Sequence, residues 1–154
     1  MGSPDSKGKA QVVNVSAKTE YACIAVLELA LNYGSGEPVT IRAIAETHGI
    51  PSRFLVQILL QLKGAGLVGS TRGAAGGYQL IQDPQQLTLA EVMRVIEGNL
   101  RQLTNNAERT TPVSGALFDA WQEVANAEQQ MLQTLSFADL VERVRGQTEK
   151  MYYI

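Results

Sequence analysis

The apolar positions of residues 14–98 fall into helical stripes, interrupted by one short stretch with strand-like spacing. In VSAKTEYACIAVLELALNY, residues 15–33, Tyr21, Ile24, Val26, Leu27, Ala30 and Leu31 leave only Glu20 and Glu28 clearly polar in the central turns. A helix of that kind is buried on most sides. Ser16 is placed to cap it, and GSGEP at 34–38 stops it. Thr40 opens a shorter helix, IRAIAETH, with Ile41, Ile44 and Ala45 inward and Gly49 ending it. In IPSRFLVQILLQLKGAG a third helix is expected, capped by Ser52. There Leu55, Ile58, Leu59 and Leu62 form an i, i+3, i+4, i+7 stripe that docks on a core. Off the stripe lie Arg53, Val56, Gln57, Leu60, Gln61 and Lys63.

The strand-like stretch follows. Leu67–Thr71 and Tyr78–Ile81 read as two short strands around a tip, Arg72–Gly77, whose single charge is Arg72 among glycines and alanines. A ribbon this small cannot bury itself and needs helices beneath it. A helix pair joined by a Gly turn and followed by a ribbon with a cationic tip is the order of a winged helix-turn-helix. In that arrangement the second helix of the pair enters the DNA major groove, and the tip reaches the backbone or the minor groove. The tip also reads as a plain flexible turn. A nucleotide phosphate loop is set aside, because the Gly-Lys-Ser/Thr ending is missing and a strand follows.

Beyond Pro84, TLAEVMRVIEG places a T-x-x-E capping box at Thr88 and Glu91 before a helix from Leu89 to Glu97. Residues 99–113 are polar and without period, and read as a loop. In SGALFDAWQEVANAEQQMLQTL, Leu117, Trp121, Val124, Met131 and Leu135 recur at helical spacing, with Phe118, Ala125 and Leu132 beside them and Glu128 interrupting. So wide a stripe, after a winged-helix unit is complete, reads as a subunit interface. The competing reading folds the helix back on its own domain. Ser136 then caps a short helix, FADLVERVR, and the apolar tail MYYI packs against the protein. The fold class expected is mainly α with a small β-hairpin. The expected organisation is a disordered tail (1–13), a winged helix-turn-helix domain (14–98), a loop (99–113) and a dimerisation helix with a short C-terminal helix (114–154).

Composition narrows the function. At 45% hydrophobic and 18% charged residues the chain is an ordinary folded protein. No apolar run approaches a membrane span and no signal peptide opens it, so a cytoplasmic location without membrane contact is expected. One cysteine, Cys23, excludes an internal disulfide, and His48 is the one histidine, so no grouping has zinc spacing. Cys23 reads as a core thiol rather than a redox sensor. Without a carboxylate pair, a Cys–His pair or a metal-spaced cluster, no enzyme and no cofactor are expected. The net charge of -2 divides unevenly: residues 1–81 carry seven Lys and Arg against five acids, and residues 82–154 six against ten. An anionic partner should therefore meet the first half.

The strings VSAKTEYACIAVLELAL, TIRAIAETHGIPSRFLVQILLQLKGAGLVGSTRGAAGGYQL and TLAEVMRVIEG resemble the Rrf2 family of bacterial winged-helix transcription regulators. The likeness is close from Asn14 to Leu100, and ALFDAWQEV and SFADLVERV extend it. Its most specific part is L-V-x-S-x-R-G-x-x-G-G-Y-x-L at 67–80. The resemblance implies a homodimer that binds double-stranded DNA at a two-fold symmetric operator and represses or activates nearby genes, with repression the expected sign. It implies a recognition helix carrying Arg53, Phe54, Val56 and Gln57, and a wing arginine, Arg72. Arg can read guanine O6 and N7, Gln can read adenine N6 and N7, and Val56 can touch a thymine methyl. Arg72 is expected where a narrow minor groove concentrates negative potential. Lys18, Thr40, Ser52 and Gly73 are further candidates for phosphate contacts. Cluster-binding members of the family carry three cysteines in the loop before the long helix, whereas residues 98–115 here contain neither Cys nor His. The iron-sulfur mechanism is therefore not carried over. A metabolite in a pocket near the dimer helix, a partner protein, or no effector remain open. A winged helix used as a protein-interaction module stays as the competing function, since an excess of two positive charges is low for a dedicated DNA binder.

Overall fold

The computed structural model describes residues 15–73, 76–98 and 106–152. The tail expected at 1–13 falls outside them, as do hairpin positions 74 and 75, loop positions 99–105 and the last two residues. Along the chain run α1 (Ala17–Leu31), α2 (Ile41–His48), α3 (Ser52–Gly64), β1 (Val68–Thr71), β2 (Gly77–Leu80), α4 (Leu89–Glu97), α5 (Pro112–Thr134) and α6 (Phe137–Tyr152). The architecture is mainly helical with one antiparallel hairpin, as the apolar spacing requires.

Local chemistry sets most boundaries. The hydroxyls of Ser16, Thr40 and Thr88 accept from the backbone N–H groups of Thr19, Ala43 and Glu91, satisfying donors that a helix start leaves open. Gly49 ends α2 in the left-handed region at φ 66°. Ser52, by contrast, is not a cap. Pro51 is extended and holds that position, its carbonyl accepting from Phe54 N at 3.1 Å, so helical geometry begins at Ser52 itself. The Ser52 hydroxyl stands one residue too late to reach the open N–H groups.

The core gathers Ala22, Ala25, Val26 and Leu29 of α1, the α3 stripe Leu55, Ile58, Leu59 and Leu62, and Val92 of α4. Phe137 and Val141 of α6 belong to it too, Phe137 with no exposed surface. The winged-helix unit is thus not complete before the C-terminal helix arrives. Backbone bonds hold this junction in place: Leu89 N donates to Leu135 O at 3.0 Å, Phe137 N to Leu87 O at 2.9 Å, and Ala138 N to Pro84 O at 3.1 Å. Nor is α6 short. It runs on through Gly146 to Tyr152, absorbing the start of the tail expected to pack separately. Gly146 is not among the glycines with positive φ, and an interior helical glycine costs only about 1 kcal/mol, so it does not stop the helix.

In the hairpin Val68 pairs with Leu80 and Thr71 with Gly77. Val39 adds a third pairing, exchanging two 2.8 Å hydrogen bonds with Tyr78 on the far edge of β2. That approach explains Gly77, where a Cβ would lie 2.5 Å from the Val39 carbonyl oxygen. At Gly76 a Cβ would run into the Thr71 carbonyl, and Gly73 has φ 108°. The glycines of the tip motif are therefore steric requirements of the wing's fold.

Candidate nucleic-acid interface

Helix α3 has two opposed faces. Leu55, Ile58, Leu59 and Leu62 have no exposed surface, while Arg53, Phe54, Val56, Gln57 and Leu60 are exposed. Four fully buried side chains on a 13-residue helix fix its rotation, so the outward residues are displayed in one orientation. Phe54 is more than an outward residue: its ring sits 6.0 Å from that of Tyr21 on α1, and the Arg53 guanidinium lies 5.1 Å above it. This cation–π stack steers Arg53 at the start of the helix. At the other end, Lys63 Nζ donates to Ser70 Oγ at 2.7 Å, tying the last turn of α3 to β1. The wing consequently leaves the body beside α3, with Arg72 and Gly73 exposed where β1 ends.

The remaining candidates are distributed more loosely. Thr40 is exposed, but its hydroxyl already accepts the Ala43 N–H. Ser52 is exposed and Lys18 half-buried on the first turn of α1. Counting charge by halves misses a sharper signal. From Glu46 to Asp83 the chain has no acidic residue between the two, and Arg53, Lys63 and Arg72 all fall in that stretch. Local charge over α3 and the wing is cationic, whatever the total.

The candidates on α5 form a second surface. No residue of α5 is buried. Leu117, Trp121, Val124 and Met131 are exposed, Trp121 by 53%, while Phe118, Ala125, Leu132 and Leu135 are half-buried. Val113, 81% exposed, extends the stripe by one turn and was not among the expected residues. It comes from an earlier helix start than the apolar spacing suggests. Thr111 Oγ1 accepts from Ser114 N, Ser114 Oγ accepts from Thr111 N, and Pro112 fills the first turn. A Ser in place of the usual Glu or Gln at the third position hides this capping box from a pattern reading.

Two interactions surround the start of α1. Thr19, fully buried, donates from Oγ1 to Glu97 Oε1 at 2.8 Å, joining α1 to the end of α4. One turn on, burial pushes the Cys23 thiol up to about 12, with the Glu97 and Glu20 carboxylates adding to the effect. The thiol is partly buried and packs against the core, in a setting that disfavours the thiolate. A hollow of about 400 Å³ opens between the α1–α2 loop and the hairpin, lined among others by Tyr33, Glu37, Tyr78 and Ile81 and by no residue of α5. Among the described residues no helix is long and apolar enough to cross a membrane.

A family model described as an iron-dependent transcriptional regulator, Rrf2, matches residues 15–143. The HTH-type transcriptional regulator CymR of Bacillus subtilis is 32% identical over 143 residues, covering 92% of this chain and all of that protein. The solved structure of CymR, the global cysteine regulator of B. subtilis, superposes with a TM-score of 0.76 at 30% identity, covering 85% of this chain and 98% of that one. That of T. potens IscR gives 0.70 at 31% identity, covering 86% and 88%. The iron in the family description does not fit this donor set. Cys23 is the one cysteine and lies partly buried in the middle of α1, while His48 Nε2 is engaged with Glu28 Oε1 at 2.7 Å. Among the described residues no three His, Cys, Asp or Glu side chains converge to hold a metal ion. With this fold, this wing motif and these relatives, the chain belongs to the Rrf2 family of DNA-binding HTH-type transcriptional regulators, and it is not an enzyme.

Proposed function

We propose that the chain acts as a homodimer on a two-fold symmetric DNA operator and controls transcription of the adjoining genes without an iron-sulfur cluster. The observation that carries this reading is the division of α3. One face is wholly buried, and the other presents Arg53, Val56 and Gln57 in a stretch of chain free of acidic residues. An α-helix so displayed fits the major groove, where Arg53 reads guanine O6 and N7 and Gln57 reads adenine N6 and N7. Phe54 braces Arg53 through the ring stack. Arg72 enters the flanking minor groove from the wing. Lys18, Thr40, Ser52 and Gly73 contact phosphates, which position the protein without carrying sequence information.

Dimerisation follows from α5. Its exposed stripe of Val113, Leu117, Trp121, Val124 and Met131 is covered by the same stripe of a second copy, making a self-complementary two-fold interface. Phe118, Ala125, Leu132 and Leu135 form its half-buried flank. Two α3 helices then reach two half-sites, and occupation of a promoter represses it. The test is selection from randomised duplex DNA. Enrichment of an inverted repeat, with half-site centres about one helical turn or a multiple of it apart, is expected. Enrichment of nothing would point instead to a winged helix used for protein contacts.

A further inference from the structure

One residue at the centre of the outward face of α3 has no role in that reading. Leu60 lies seven positions after Arg53 and four after Val56. At 3.6 residues per turn it falls between the column of Arg53 and Gln57 and that of Val56, opposite the buried stripe. It is 56% exposed, and Val56 is 42% exposed. A single surface leucine means little by itself. Here the two side chains form an i, i+4 apolar pair on the face where a DNA reader would carry its base contacts.

The surroundings select the occupant. Arg53 stands at one end of this strip. At the other, Lys63 is tied to Ser70, which brings the cationic wing alongside. The acid-free stretch between Glu46 and Asp83 leaves nothing on α3 or the hairpin to repel a polyanion. In the major groove of a polyanionic duplex the apolar group on offer is the 5-methyl of thymine. Resting on the proposed entry of α3 into that groove, we infer that Val56 and Leu60 together form an apolar contact for thymine methyl groups. Leu60 is then a specificity-determining residue. Four residues of helix separate the two side chains by about 6 Å along the axis, so the methyls they meet are about two base steps apart. Gly64, the next position on this line, has no side chain, and the strip ends there.

Replacing thymine by uracil removes the methyl and leaves base pairing intact, so the test needs only the wild-type chain and its selected operator. Each thymine of one half-site is changed to uracil in turn, and affinity is measured by fluorescence anisotropy at fixed salt. At one or two positions about two steps apart, uracil is expected to weaken binding about threefold to fivefold, the worth of one buried methyl. Leu60→Ala should weaken binding to the thymine duplex by a similar factor and be insensitive to uracil at its own position. Three outcomes would overturn the inference: uracil changing affinity less than about twofold at every position, Leu60→Ala keeping full uracil sensitivity, or Leu60→Ala losing the same factor on both duplexes. Failure to select any operator would instead remove the DNA reading on which the inference rests.

Discussion

In the 13-residue helix α3 the side chains of Leu55, Ile58, Leu59 and Leu62 are fully buried, and Arg53, Gln57, Val56 and Leu60 face out. In the 23-residue helix α5 no residue is buried, and Leu117, Trp121, Val124 and Met131 face out. Burying a large aliphatic side chain is worth about 1.5–3 kcal/mol, so α3 is held by its own domain many times over. Apart from its capping box and the backbone bonds at its end, α5 has little of that support. The contrast separates two tasks. A helix whose inner face is locked can offer an outer face as a reading surface, because the display does not drift. In the dimer proposed above, a helix that leaves its apolar face open gains its stability from a second copy. In the proposed dimer, α5 sets the distance between two α3 helices, and α3 sets what each one reads.

Breaking α3 from the inside should produce the largest effect. Leu59→Ala removes a fully buried side chain and is expected to cost about 2–5 kcal/mol of unfolding free energy, measured by urea denaturation. Trp121→Ala should cost about 2 kcal/mol or more of dimer stability, in the range of a central interface aromatic, while barely changing the unfolding of the monomer. Sedimentation across a dilution series checks this, and a loss confined to monomer unfolding would mean α5 packs on its own domain. Outside both helices, Arg72→Ala should weaken operator binding by about 1–3 kcal/mol at fixed salt. Unchanged affinity would remove the wing from the interface. Thr111→Ala should cost about 1 kcal/mol, because it deletes one side of the capping box that starts α5. Its effect should appear in dimer stability rather than in the α3 core.

The same contrast explains how much could be read from the residues alone. The α3 stripe, the caps at Ser16, Thr40 and Thr88, and the hairpin were legible because each rests on local spacing or on the needs of one helix end. What was missed is longer in range or chemically disguised. That Phe137 closes the core depends on segment 84–89 meeting the α5–α6 junction, which no local pattern encodes. The helix expected to be short runs on through Gly146, because an interior glycine without a positive φ costs too little to end it. Ser52 has the composition of a cap, but Pro51 ahead of it takes the position. At the site, Arg72 stood out as the one charge of the hairpin tip, Arg53, Val56 and Gln57 came from the family resemblance, and all four lie exposed on α3 and the wing. Spacing already set Leu60 off the buried stripe, but the brace from Phe54 to Arg53 needed the packed structure, since a sequence does not say which side of a ring a guanidinium occupies.

The most direct test of the division of labour is the mass of the complex on the selected operator, measured by native mass spectrometry for the wild-type chain and for Trp121→Glu. The wild type should add two chains of 16.7 kDa to one duplex, and the variant should fail to form that complex at concentrations where the wild type is saturated. One chain per duplex in the wild type, or two chains held undiminished by Trp121→Glu, would contradict a reader built from α3 and spaced by α5.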